Sequence, residues 1–397
     1  MPQRSYRRQF LSSVAATACA APLVIPASAL GLDDRPAPSE RIALGIIGCG
    51  GKGMDHIRTF LKQPDAEFVA VCDVDRSHHR DRLDGKGPLF GREPALETIS
   101  RHNAEQQRGA GSTCAGLVDF RELCDRDDID AVIVATPDHW HALCDLTAIR
   151  AGKDVYGEKP LTHFFREGQQ VVREAAEQGT IFQTGSQQRS TGNFRRAAEL
   201  ARNGVLGKIR QVEVGLPSGY RESQGLADEM SPPESVDYDR WTGPAPLLPY
   251  MQARFHRWWR GHSAYGRGTL MDWIGHHNDI AHWGLGMDES GPIEVAAGEW
   301  TWPDTPIYDT PVEFTIRSTY PGGAIVTIST KLPMGTKFIG DDGWAYVDRG
   351  KLEASDPHWL MPEFDPGEIH LERSNDHVRN FLDSVKSRRP CICPASV

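Results

Sequence analysis

The apolar run Ile42-Ala43-Leu44-Gly45-Ile46-Ile47 leads straight into Gly48-Cys49-Gly50-Gly51-Lys52-Gly53, a G-x-G-x-x-G loop. A short continuous apolar run closed by glycine is a strand buried on both faces. Met54, Ile57 and Phe60-Leu61 follow at helical spacing and stop at Pro64, which predicts a helix opening inside the loop. Phe68-Val69-Ala70-Val71-Cys72 is a second strand, ending at Asp73, about twenty residues beyond the last glycine. Glycine is common, so the loop alone says little. Between a buried strand and a helix, with an acid at the next strand end, it predicts a dinucleotide site. Gly48 then makes the tight turn, Gly50 admits a pyrophosphate to the backbone, and Gly53 lets helix and strand pack closely. Gly51 and Lys52 lie in the first helical turn, whose N–H groups favour phosphate. Asp73 is expected on the ribose hydroxyls. A carboxylate there repels the extra phosphate of NADP, so NAD is the expected cofactor, and NADP stays open because Arg76 is close by.

The alternation resumes with Ala131–Ala135, a helix over His141–Arg150, and Asp154–Glu158. Strand and helix in turn mean a parallel sheet with right-handed crossovers. Residues from about Ser77 to Thr113 are polar and Gly-rich and are expected to form a loop-bearing insertion. Beyond Pro160 the pattern changes. Helices near Arg166–Gln178 and Phe194–Asn203 flank Thr180–Thr184, and strands over Gln211–Leu216, Val312–Tyr320 and Ala324–Thr330 lack intervening helices. Pro321-Gly322-Gly323 joins the last two as a hairpin. The fold class is therefore α/β: an N-terminal Rossmann domain over 41–160 and a C-terminal α+β domain over 161–390 with an antiparallel sheet. A helix near 375–388 is expected to pack back on the Rossmann domain.

The first thirty residues read as an export signal rather than fold. Ser5-Tyr6-Arg7-Arg8-Gln9-Phe10-Leu11 sets paired arginines before an apolar run from Val14 to Ile25, and Ala27-Ser28-Ala29 suits a signal peptidase. This resembles a twin-arginine signal. Residues 31–40 are a linker, and the expected location is periplasmic or secreted. The apolar run is too short and too broken by Pro22 and Pro26 to span a bilayer, so no stable membrane insertion is expected. A net charge of −10 with no basic stripe argues against nucleic acid. Of eight cysteines, Cys19 leaves with the signal, and an odd remainder argues against a complete disulfide framework. Pairing of Cys391 and Cys393 stays open.

Two segments follow parallel strands, at the carboxyl edge where ligands bind: Thr136-Pro137-Asp138-His139-Trp140-His141 and Glu158-Lys159-Pro160. Pro160 holds Lys159 extended, so that its ammonium can stabilise an alkoxide beside a nicotinamide. In Gly268–Ile280, Asp272, His276 and Asp279 fall at i, i+4 and i+7 and share a helical face. Asp272 is expected to orient His276 as a general base. A metal site from Asp272, His276, Asp279 and His282 is the alternative. No metal is expected, because a lysine-bearing nicotinamide dehydrogenase needs none.

These segments together resemble the glucose–fructose oxidoreductase / inositol dehydrogenase family across essentially the whole mature length. The carriers are Gly48–Gly53, Thr136-Pro137 through His141, Glu158-Lys159-Pro160, and Asp272 with His276 and Asp279. The resemblance implies that Lys159, Asp272 and His276 are catalytic and that Thr136 and Pro137 border the nicotinamide, with His139, His141 and Glu158 also in the cofactor site. It implies a large, mostly antiparallel open sheet in the second domain, which makes homo-oligomers. Ile274 stands where many members have glycine, and the Ser77–Thr113 stretch is long. The family's substrates range widely, so none is named by likeness.

Between about Pro217 and Arg267 lies a long Pro- and Trp-rich segment with Trp241, Tyr250, Phe255, Trp258, Trp259 and Tyr265. Aromatic faces suit the C–H faces of sugar rings, and equally make a core beneath a long loop. Gln187, Arg189, Tyr265 and Asp279 are the expected substrate contacts. The expected function is nicotinamide-dependent oxidoreduction at a hydroxyl of a sugar, glycoside or polyol, with the cofactor tightly bound. An NAD-dependent glycosidase acting by transient oxidation is the first alternative. A non-catalytic sugar- or nucleotide-binding protein is the second.

Overall fold

The computed structural model describes residues 36–79, 86–106 and 113–397, so the twin-arginine reading lies outside the described residues. The chain divides between Arg41 and Ile42. In the short first unit, Pro38–Glu40 make one 3₁₀ turn. In the second unit the order is β1 (Ile42–Ile47), α1 (Gly51–Phe60), β2 (Ala66–Cys72), β3 (His78–His79), β4 (Leu89–Phe90), α2 (Arg92–Glu105), β5 (Ala115–Leu117), α3 (Phe120–Cys124), β6 (Ala131–Val134), α4 (Asp138–Arg150), β7 (Asp154–Gly157), α5 (Phe165–Gln178) and β8 (Phe182–Thr184). Six of these strands form a parallel sheet in the order β5-β2-β1-β6-β7-β8. All four residues of β6 are fully buried, as a central parallel strand covered on both faces requires.

The second half continues with α6 (Gly192–Arg202), β9 (Ile209–Gly215), α7 (Tyr238–Thr242), α8 (Gly268–Leu285), β10 (Glu294–Thr301), β11 (Glu313–Thr319), β12 (Ile325–Ser329), β13 (Gly335–Gly340), β14 (Trp344–Asp348), β15 (Lys351–Ala354) and α9 (His377–Ser387). Its seven strands form a sheet in the order β10-β11-β12-β9-β13-β14-β15. Only β12 and β9 pair in parallel; the rest are antiparallel. The β11–β12 hairpin turns at the expected Pro-Gly-Gly. Helices α6 and α8 pack on this sheet through Phe194, Leu200, Ile280 and Trp283 against Val212, Val214 and Phe338.

Two features depart from expectation, and a third decides between two readings that stood open. The Ser77–Thr113 stretch is not all loop: α2 fills much of it, burying a narrow stripe of Pro94, Ala95, Ile99 and Asn103. The parallel sheet also runs past Pro160, because Val155, Tyr156 and Gly157 pair with Phe182, Gln183 and Thr184. And the aromatics of the long segment are chiefly a core of their own: Trp241, Tyr250, Phe255, Trp259 and Tyr265 are buried together. Helix α9 docks on the first domain, where Val378, Phe381 and Leu382 join Phe60, Phe68 and Tyr156. Arg379 and Lys386 of α9 both bind Asp65. Cys391 and Cys393 are buried and free; the other described cysteines are free too, all buried but Cys114.

Candidate active site

The glycine loop can be tested by asking what a methyl group would meet. Gly48 has φ +90, and a Cβ there would stand 2.6 Å from the Ala135 carbonyl oxygen. At Gly53 a Cβ would stand 1.9 Å from the Gly48 carbonyl oxygen, so only glycine lets α1 sit so near β1. At Gly50 a Cβ meets nothing within 4 Å. Gly50 also caps α1 without a side-chain acceptor, leaving the N–H groups of the first turn to face open space. Two glycines are demanded by packing, and the third borders open space in which a pyrophosphate would fit. Asp73 accepts hydrogen bonds from the Cys49 N–H (2.6 Å) and the Asp75 N–H (2.8 Å), which aims its carboxylate along the same wall. Burial pushes its pKa up, against those two bonds.

The loop opens on a cavity of about 890 Å³ whose walls include Gly48, Gly50, Asp73, Thr136, Pro137 and Lys159. That volume suits a dinucleotide-sized ligand. Lys159, at the end of β7, reaches α8: its Nζ donates to Asp272 Oδ1 at 2.7 Å, and a Cβ on Gly275 would lie 3.5 Å from the lysine stem. Arg260 Nε approaches the same Asp272 oxygen at 3.1 Å. Burial alone would raise Asp272, but Arg260 and Lys159 bring it down to about 2. Asp138, at the start of α4, is 5% exposed on the same wall. Burial first, and the Asp272 charge with it, push its carboxyl up to about 7 against Arg260 and Lys159.

A smaller cavity of about 390 Å³ adjoins the first, sharing Lys52, Glu158 and Arg349, and includes Gln187, Gln188 and His276. Buried Glu158 is bound by Lys52 (3.3 Å), His56 Nε2 (2.7 Å) and Gln187 Nε2 (3.2 Å). Burial would raise its pKa, but Lys52 and His56 hold it well below the usual range. His276 Nδ1 is buried with no hydrogen-bond partner. Burial, then the charges of Lys159 and Arg349, lower this imidazole to about 3, so it is neutral at pH 7.

Lys159, Glu158, Lys52, Gln187 and His276 thus meet around the two cavities, while five other side chains expected in the site line neither. Asp272 is the partner of Lys159 and Arg260, and that ion pair takes the carboxylate expected to orient His276. Arg189, 2% exposed, binds Asp279 through both Nε and Nη2 and also reaches Asp288 at 2.8 Å. Neither Arg189 nor Asp279 lines either cavity, because the buried guanidinium, set over the Trp283 ring at 5.2 Å, needs these carboxylates itself. Tyr265 is fully buried, 4.8 Å from the Trp241 ring. His139 is also off the cavity walls, with its ring nitrogens against the carbonyls of Tyr265 (3.2 Å) and Trp241 (3.0 Å). His141 does line the larger cavity, while its nitrogens meet the Pro160 and Thr136 carbonyls. Arg260 lies in the Trp-rich segment, whose arginines are candidate donors to substrate hydroxyls, and it lines the larger cavity. Asp138 and Arg349 were missed as site residues; the place of Asp138 in the segment after β6 was a usable signal, while Arg349 is brought in by tertiary structure alone.

Residues 42–186 match a family described as an oxidoreductase family with an NAD-binding Rossmann fold, and residues 193–390 match its C-terminal alpha/beta domain. Among curated relatives, an alpha-N-acetylgalactosaminidase of Shewanella oneidensis is 28% identical over 134 residues, 34% of this chain and 26% of that protein. A glycosyl hydrolase family 109 protein of Shewanella baltica is 28% identical over 182 residues, 42% of this chain and 36% of its own. The matched stretch thus spans about a quarter to a third of these relatives' length. Among solved structures, the WlbA dehydrogenase from Bordetella pertussis in complex with NADH and UDP-GlcNAcA has a TM-score of 0.59 at 19% identity, covering 89% of this chain and 91% of that one. The aldose-aldose oxidoreductase from Caulobacter crescentus, complexed with glycerol, has a TM-score of 0.58 at 17% identity over 89% and 92%. At such identities these structures speak to the fold. With both domain matches in order along the chain and the glycine loop built for a pyrophosphate, the protein belongs to the glucose–fructose oxidoreductase / inositol dehydrogenase (Gfo/Idh/MocA) family of NAD-binding oxidoreductases.

Proposed function

We infer that this chain oxidises a hydroxyl group of a sugar, glycoside or polyol, using NAD held in the larger cavity. The observation that carries the reading is the Lys159 ammonium, fastened by Asp272 at the wall where the Rossmann strand ends meet α8. Bound NAD would supply the hydride acceptor, held by the α1 N-terminus and Asp73. Lys159 donates a hydrogen bond to the substrate hydroxyl oxygen and stabilises the charge that grows as its proton leaves. Asp272 and Arg260 fix the lysine's direction. His276, neutral on the adjoining smaller cavity, is the imidazole we assign to the hydroxyl proton, a role that requires bound substrate to reach the ring and raise its basicity. Asp138, raised to about 7, is a group able to hold a proton near working pH. Gln187 and Arg349 in the smaller cavity offer donors to further hydroxyls.

A glycosidase that oxidises transiently and re-reduces is the second reading. The named alpha-N-acetylgalactosaminidase relative favours it, as does a buried acid able to carry a proton to a leaving group at neutral pH. The paired arginines and the apolar run after them support export by the twin-arginine route to the periplasm or beyond. Free NAD is scarce there, so the cofactor is loaded before export and restored within each cycle. The exposed edge strand β10, flanked by exposed Ile293 and Trp302, supports homo-oligomers through the second sheet.

Denaturing the purified chain is expected to release about one NAD per molecule. Incubation with monosaccharides, inositols and glycosides, followed by the NADH band and by product analysis, separates net oxidation from cleavage. A chain that carries no nucleotide and binds added NAD weakly defeats the resident-cofactor reading.

A further inference from the structure

The long segment between β9 and α8 does more than pack its own aromatics. Residues 235–243, which include α7, are tied to the Rossmann domain at three places. Opposite the end of β2, Val236 forms an antiparallel bridge with Asp75. The Arg76 N–H to Ser235 carbonyl bond (2.8 Å) and the Asp237 N–H to Val74 carbonyl bond (3.1 Å) flank it. Beyond β5, Arg240 Nη1 pairs with Asp119 Oδ2 at 3.0 Å. Beyond β6, the Trp140 indole N–H donates to the Trp241 carbonyl at 2.9 Å. Gly243 then packs so close to the Trp140 ring that a Cβ would stand 2.0 Å from it, and its φ is +49. That position needs glycine on both counts.

Sheet order gives these ties their meaning. The strands run β5-β2-β1-β6, and the glycine loop follows β1. Attachments beyond β2 and β6 therefore bracket the loop on both sides, and the one beyond β5 extends the bracket outward. Asp73 stands two residues before the bridge, so the expected ribose position lies inside it as well. The larger cavity takes Asp119 and Phe120 from the Rossmann side and Asp239, Arg240, Trp241 and Gly243 from the segment. A dinucleotide reaching from Gly50 past Asp73 thus has its adenosine half between the Rossmann strand ends and this segment.

We propose that residues 235–243 are a strap that shuts the adenosine half of NAD into the larger cavity, so that the cofactor enters and leaves only when the strap lifts. The inference rests on the reading that this cavity holds NAD. It names the element that keeps the cofactor resident, apart from Lys159 and the chemistry at the nicotinamide end. No single tie is strong: the Arg240 side chain is 45% exposed, and an ion pair in water adds little. Retention comes from their number, because the ties must open together.

The test follows labelled NAD into and out of the full chain. Asp75 and Val236 are a non-hydrogen-bonded antiparallel pair, whose Cα atoms stand about 4.5 Å apart, within reach of a disulfide. Oxidised Asp75→Cys/Val236→Cys should slow both entry and release at least about tenfold, and a reductant should restore both, with wild type treated alike unchanged. Arg240→Ala/Trp140→Phe removes two ties and should speed entry and release by about three- to tenfold, with Kd within about threefold of wild type. A strap acts on both directions alike, whereas loss of a direct contact raises Kd through release alone. Should the cysteine pair fail to fold or to cross-link, the loosened variant still decides. Equal rates in cross-linked, reduced and loosened chains that bind NAD overturn the strap and leave the cavity reading standing. So does a loosened variant whose release quickens while entry stays as in wild type. A chain that binds no NAD overturns the strap and the cavity reading together.

Discussion

Gly50→Ala and Gly53→Ala add the same methyl group three residues apart, and the structure assigns them opposite consequences. At Gly53 the new Cβ starts 1.9 Å from the Gly48 carbonyl oxygen and 2.9 Å from its carbon, against an ordinary contact of about 3.4 Å. Both obstacles are backbone, so α1 must withdraw from β1 by more than 1 Å. Overpacking of that kind costs about 1–3 kcal/mol, a fall of several degrees in Tm. At Gly50 the methyl group meets nothing, and φ is −69, so stability is expected within about 0.5 kcal/mol of wild type. The open space at Gly50 is where the pyrophosphate comes closest, however, and a methyl group there should weaken NAD binding by about 10- to 100-fold, or about 1.4–2.7 kcal/mol. Thermal melting and NAD titration of nucleotide-stripped, refolded chain read the two effects separately. A Gly50→Ala protein that binds NAD like wild type, or a Gly53→Ala protein that melts like wild type, refutes the division of labour within the loop.

Lys159→Ala is expected to lower turnover by about 10³-fold or more while nucleotide stays bound; retained turnover removes the lysine from the chemistry. Asp138 protonates more readily folded (about 7) than unfolded (3.8), so the folded state holds the extra proton and loses stability as pH rises from about 4 to 7. The span corresponds to roughly 4 kcal/mol, and Asp138→Asn should flatten that part of the Tm–pH curve. Asp272 has the opposite sign: its depressed value (about 2) contributes roughly 2 kcal/mol above pH 4 that disappears as pH falls toward 2. Asp272→Asn should therefore melt lower at neutral pH, and an unchanged Tm there argues against the ion pair. Arg189→Met leaves the half-buried Asp279 and Asp288 without their cation and should cost about 1–3 kcal/mol in denaturant melts; a KM change without destabilisation would return Arg189 to the substrate.

The elements readable from the sequence are those whose signal is local. Burial on both faces writes β1 and β6 as continuous apolar runs, and the steric needs of Gly48 and Gly53 are met only by glycine. Helix α2 was hidden because it buries only Pro94, Ala95, Ile99 and Asn103 along a thin stripe, too little apolar periodicity to stand out from a polar loop. The substrate contacts suffered from the reverse problem. Arg189 and Asp279 look like ligand donors in isolation, but 90 residues of intervening chain bring each to the other. Asp272 and His276 do share one helix, as their spacing required, and Asp272 turned instead to a lysine 113 residues away. Charge pairing across domains leaves no trace in spacing.

Docking of α9 on the first domain has a bearing on when the cofactor site can form. Phe60, Phe68 and Tyr156 lack their cover until Phe381 is available, and Asp65 waits for a lysine 321 residues downstream. At about 5–20 residues per second the ribosome needs roughly 15–60 s to bridge that interval. The nucleotide-binding half is thus translated first, while part of its core is closed only once the last helix has been made.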